Sequence, residues 1–131
     1  REARALAARP TPEAKAAAWA AGVESDTLPN SVLDATSLGF GRTTDLSLLV
    51  PYIEKYHAVL ADIWEKRTHA IAESIVQQYY PAALASQELL DATQAWLDAH
   101  PTAPAALVRL VSENRDSIAR ALRAQARDAQ G

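Results

Sequence analysis

The chain has 131 residues, of which 49% are hydrophobic and 22% charged, and a formal net charge of −3. That length can bury a real core, and the balance argues against disorder. The mild acidity excludes a general electrostatic binder of nucleic acid, and the absence of cysteine excludes disulfides, thiolate metal sites and cysteine nucleophiles.

In chain order, residues 1–8 read as the tail of a helix stopped before Pro10. Thr11 is placed to cap the next helix, with Pro12 at the first helical position and Glu13 in the first turn, where unpaired N–H groups favour such residues. This helix covers 14–21 and is expected to end near Gly22, a residue tolerant of left-handed backbone. Residues 26–30 form a linker, and Asn30 or Ser31 caps a short helix that stops at Gly39-Phe40-Gly41. Thr44 or Asp45 opens another, whose apolar positions Leu46, Leu49, Val50, Ile53, Tyr56 and Leu60 recur at three- and four-residue steps. Pro51 lies inside that pattern and should kink the helix or split off its first turn.

A helix over about 62–79 turns Trp64, Ile71, Ile75 and Tyr79 inward and ends before Pro81. Ser86 caps a helix with Leu89, Leu90, Thr93, Trp96 and Leu97 inward, closed by His100-Pro101. Thr102 is expected to cap the last helix, with Leu107, Leu110, Val111, Ile118 and Leu122 in one stripe and the arginines mostly off it. No segment alternates with period two. The expected fold is therefore all-α, about seven helices in antiparallel pairs, as a bundle or a stack of helical hairpins. Alanine occurs 29 times, and ten arginines stand against three lysines. There is no methionine and the chain opens Arg1-Glu2, so a piece of a longer protein is expected.

Few residues promise chemistry. Zinc needs three or four converging donors, and the histidines are His57, His69 and His100. His69 and Glu73 share a helix face, but an exposed hydrogen-bonded pair explains them. His57 and His100 read as surface or helix-end residues. No serine sits in Gly-x-Ser-x-Gly, and Gly39-Phe40-Gly41 reads as a turn, not a phosphate loop. The carboxylates of Glu24 with Asp26, and of Asp62 with Glu65, need no acid–base role. The aromatics Trp19, Tyr52, Tyr56, Trp64, Tyr79, Tyr80 and Trp96 either fill gaps between alanine-rich helices or line a surface that meets a peptide or a neighbouring domain. Arg42 and Arg67 would supply charge there.

Three stretches resemble the C-terminal helical domain of bacterial M1-family aminopeptidases. They are Pro10-Thr11-Pro12-Glu13-Ala14-Lys15-Ala16-Ala17-Ala18-Trp19, then Glu24-Ser25-Asp26 with Leu28-Pro29-Asn30, then Pro51-Tyr52-Ile53-Glu54-Lys55-Tyr56 continued by Leu60, Ile63-Trp64 and Arg67. The closing Ala119-Arg120-Ala121-Leu122-Arg123-Ala124-Gln125 also looks like that family's last helix. The resemblance spans nearly the whole chain. It implies a HEAT- or armadillo-like α-α superhelix, with residues 1–131 the C-terminal part of a domain that caps a zinc exopeptidase and shapes its peptide chamber. The family's His-Glu-x-x-His and Gly-x-Met-Glu-Asn motifs are absent, so no catalytic or metal residue is assigned. Zinc would belong to the parent enzyme, whose upstream catalytic domain and peptide substrates are the implied partners, in a cytoplasmic setting without nucleic acid or membrane. Tyr52, Tyr56, Trp64 and Arg67 are the expected lining of the chamber or domain interface. The alternative is a stand-alone helical interaction or ligand-binding module, such as a transcription-regulator effector domain, which would enclose an apolar pocket.

Overall fold

The computed structural model describes residues 11–24, 40 and 45–130, and these contain helices and turns with no strand. The expected helices at 1–8 and 31–38, the 26–30 linker, Arg42 and the glycines beside Phe40 lie outside the described residues. Five α-helices are described: α1 Pro12–Trp19, α2 Pro51–Lys66, α3 His69–Gln78, α4 Gln87–Ala99 and α5 Ala105–Gln130. All-α holds, and the count of described α-helices is five where about seven were expected.

Helix starts follow local chemistry. The Thr11 hydroxyl accepts the Ala14 amide at 3.1 Å, and the Ser86 hydroxyl accepts that of Leu89 at 3.2 Å. Asp45 caps a separate 3-10 turn, Leu46–Leu49, and Pro51 then opens α2, so the proline splits off a first turn.

Three expectations are corrected. α1 does not stop at Gly22 but widens into a π turn, Ala20–Glu24. Gly22 has no positive φ, and its role is steric: a β-carbon there would fall 1.9 Å from the Tyr79 hydroxyl oxygen. The boundary expected near Asp62 lies instead at Arg67 and Thr68. Asp62 is mid-helix, paired with Lys66 at 3.0 Å, whereas Arg67 turns extended and Thr68 caps α3. Finally, α5 begins at Ala105 rather than after Thr102. Residues 101–103 form a turn closed by the Ala103 amide on His100 O at 3.2 Å, and the helical ladder begins at Pro104 O.

The core joins these elements. α2 packs on α3 and α4, and α5 packs on α3 and α4, so α4 and α5 form a hairpin laid against the α2–α3 pair. Leu49, Leu60, Val76, Leu89, Leu107 and Val111 are wholly buried at their junctions. Leu46 and Val50, expected inside, are exposed, because the 3-10 turn rotates the stripe so that Tyr52 is buried instead. Beneath α1, Trp19, Phe40, Tyr52 and Tyr79 form one aromatic cluster with ring centroids 4.9 to 5.9 Å apart. The Tyr79 hydroxyl donates to Ala18 O at 2.9 Å, beside the widened turn.

Candidate functional site

Two clefts flank the C-terminal half of α2. The first, of about 430 Å³, lies against the end of the π turn. Val23, Val59 and Ile63 form its apolar wall, and Glu24, Lys66 and Arg67 its charged edge. Arg67 closes one end, its Nη2 donating to Val23 O at 2.5 Å. This charge-assisted bond ties the α2–α3 joint to the end of the π turn. The second cleft, of about 410 Å³, lies where α2 meets the α4–α5 connection. Trp64, Glu65, His100, Pro104 and Leu107 are among its lining residues.

The four expected lining residues separate. Trp64 is half-buried and lines the second cleft, and Arg67 is half-buried and lines the first. Tyr52 and Tyr56 do not reach either cleft, because both belong to this chain's own core. Burial raises the Tyr52 hydroxyl pKa, with the Glu24 carboxylate adding to the effect. Tyr56 is 1% exposed; its hydroxyl donates to Val76 O at 2.5 Å and accepts from Asn114 Nδ2 at 3.1 Å. Burial holds that hydroxyl protonated far into alkali. A core tyrosine whose oxygen has both its donor and acceptor roles filled cannot also present itself to a peptide.

The histidines separate too. His69 Nε2 meets Glu73 Oε1 at 2.9 Å in an exposed pair, and its ring stands edge-on to Trp64 at 5.4 Å. Among the described residues no three His, Asp or Glu side chains converge. His100 ends α4, stacked on Trp96 at 4.3 Å with Nδ1 on Trp96 O at 2.8 Å. His57 is not the surface residue expected. Its Nδ1 meets Ile53 O at 2.7 Å and its Nε2 meets Thr93 Oγ1 at 3.0 Å. Thr93 is fully buried and also contacts the Tyr80 hydroxyl at 2.8 Å.

Sequence reasoning missed this polar cluster and Asn114. Thr93 and Asn114 each interrupt an apolar stripe, which was the available signal. Lys15 is likewise buried inside an alanine-rich helix, and burial lowers its ammonium pKa. No described helix is long and apolar enough to cross a membrane.

Comparison with known proteins gives this arrangement a context. The ERAP1-like C-terminal domain family matches residues 1–120. Aminopeptidase N of Streptomyces lividans is 53% identical over 126 residues, which is 95% of this chain and 14% of that relative. The chain thus spans about a seventh of the curated relative it matches.

Proposed function

Because the chain belongs to the ERAP1-like C-terminal domain family, we propose that it serves as the non-catalytic C-terminal helical domain of a zinc-dependent aminopeptidase. One observation carries the reading: identity of 53% runs through 95% of this chain while occupying only 14% of the relative. The likeness therefore follows the helical unit and leaves most of such an enzyme outside it. The described His, Asp and Glu residues supply no converging metal set, so in this reading zinc and the peptide-cleaving residues lie elsewhere in the longer polypeptide.

What this chain contributes is a rigid helical wall that limits access to the zinc site and shapes a peptide chamber. Trp64 and Arg67 are the residues we assign to its lining or to the contact with the catalytic domain. Trp64 offers half-exposed aromatic area, and Arg67 places a cation at a cleft edge. A cytoplasmic location belongs to the same proposal.

The test assays this chain alone on an aminoacyl chromogenic substrate with added zinc, and the longer enzyme with and without this domain. The chain alone should show no zinc-dependent turnover. Removing the domain should alter discrimination between peptides of different length while zinc content is retained. Zinc-dependent turnover by the isolated chain would overturn the assignment.

A further inference from the structure

The hydrogen count around Thr93 does not close with a neutral imidazole. A carbonyl oxygen can only accept, so His57 Nδ1, at 2.7 Å from Ile53 O, must carry a proton. In the neutral ring Nε2 is then bare and needs a donor, and Thr93 Oγ1 at 3.0 Å is its partner. Thr93 has one hydroxyl proton, and Leu89 O at 2.9 Å competes for it. Tyr80, at 2.8 Å, is left to donate into the Thr93 oxygen. In the imidazolium every contact is satisfied at once. Nε2–H and the Tyr80 hydroxyl both donate to Thr93 Oγ1, which has two lone pairs, and Thr93 donates to Leu89 O.

We propose that His57, Thr93 and Tyr80 form a proton-responsive bolt between α2 and α4, in which neutral His57 accepts the Thr93 hydroxyl proton and protonated His57 reverses that bond. Tyr56, edge-on at 5.0 Å, and Tyr80, at 6.3 Å, are the titratable rings that face the imidazole. From α4 the facing polar group is the uncharged Thr93, and among the described residues no Asp, Glu, Lys or Arg bonds the ring. The positive charge therefore enters a part-buried site flanked by the Tyr56 and Tyr80 rings, with no bonded counter-ion among the described residues.

Burial lowers the imidazole pKa from its ordinary 6.5, opposed by the bond to Ile53 O. The sign follows. The unfolded chain takes up the proton first, so the stability that neutral His57 contributes is present above the ordinary histidine value. It is lost as pH falls through the lower folded value. The cost of burying the charge thus outweighs the extra hydrogen bond that protonation completes, and because α2 carries a wall of both clefts, acid loosens the frame on which Trp64 and Arg67 sit.

The test follows the ¹⁵N shifts of His57 in the full chain from pH about 8 to about 5, with thermal unfolding of wild type, His57→Gln and His69→Gln across the same range. We expect the neutral ring to carry its proton on Nδ1 and to titrate below the ordinary histidine value of 6.5. His57→Gln should lose about half or more of the acid-induced fall in Tm, and His69→Gln almost none of it. An Nε2–H neutral tautomer, a midpoint at or above the ordinary 6.5, or an unchanged fall in Tm for His57→Gln would overturn the proposal. If His57→Gln does not fold, the tautomer and midpoint of the wild-type ring decide it.

Discussion

Tyr79 lies across Gly22 so closely that a β-carbon on the glycine would sit 1.9 Å from the phenolic oxygen and 2.4 Å from the carbon bearing it. The same hydroxyl donates to Ala18 O at 2.9 Å. Gly22→Ala would ordinarily gain helix propensity of up to about 1 kcal/mol. Here the buried ring cannot move aside without breaking its bond and disturbing Trp19 and Phe40. The substitution should therefore destabilise the chain by about 1–3 kcal/mol, read from urea unfolding. A neutral or stabilising result would show that the ring is free to move.

Tyr56→Phe should cost about 1–3 kcal/mol, because Val76 O loses its hydroxyl donor and the Asn114 amide loses one of its two acceptors. Asn114→Ala should cost less, since Tyr56 keeps its bond to Val76 O. A double-mutant cycle should show coupling, as the two side chains share one acceptor.

Ser86 and Thr102 both read as helix caps, yet only Ser86 accepts an amide at a helix start. Ser86→Ala should cost about 1 kcal/mol. Thr102→Ala, exposed in a turn ahead of α5, should change stability by less than about 0.5 kcal/mol.

Ala85 holds a left-handed backbone, φ 36° and ψ 58°, where it turns the chain from the 3-10 turn Ala82–Leu84 into α4. A β-carbon is disfavoured there, so Ala85→Gly should raise stability by up to about 1 kcal/mol, offset in part by the glycine's freedom in the unfolded chain. Unfolding midpoints of the pair measure this directly.

Alkali should unfold the chain. Burial pushes the Tyr80 pKa up to about 12, and Tyr56 and Tyr79 higher still. These folded values exceed the ordinary 10, so the folded state holds protons that the unfolded state releases. Their contribution is fully present below pH about 10 and falls as pH climbs through the folded values. Tyrosinate absorbance should therefore rise together with the loss of helical circular dichroism above pH about 10, not ahead of it.

Local chemistry placed much of this structure. Thr11, Asp45 and Ser86 cap where their side chains indicate, Pro51 splits α2 from its first turn, and Pro81 follows the end of α3. These signals are legible because a cap or a proline acts within one helical turn. The joint between α2 and α3 carried one local signal, the capping Thr68, which was not read. Its apolar steps run on through Leu60, Ile63 and Trp64 with no proline or glycine to mark the break. The site divided in the same way. Trp64 and Arg67 are found at clefts, whereas Tyr52 and Tyr56, in the same helix, are buried in the core.

Amino-acid order alone determined that the chain is helical and that it carries neither a cysteine nor a zinc-binding His-Glu-x-x-His. It also held the string of residues by which its family is recognisable. Only the tertiary structure decided which aromatics are core, why position 22 is glycine, and that His57 meets Thr93 across 36 positions of sequence. Periodicity reports which face of a helix is apolar. It cannot report what lies opposite that face, and partners, burial and proton affinity all depend on what does.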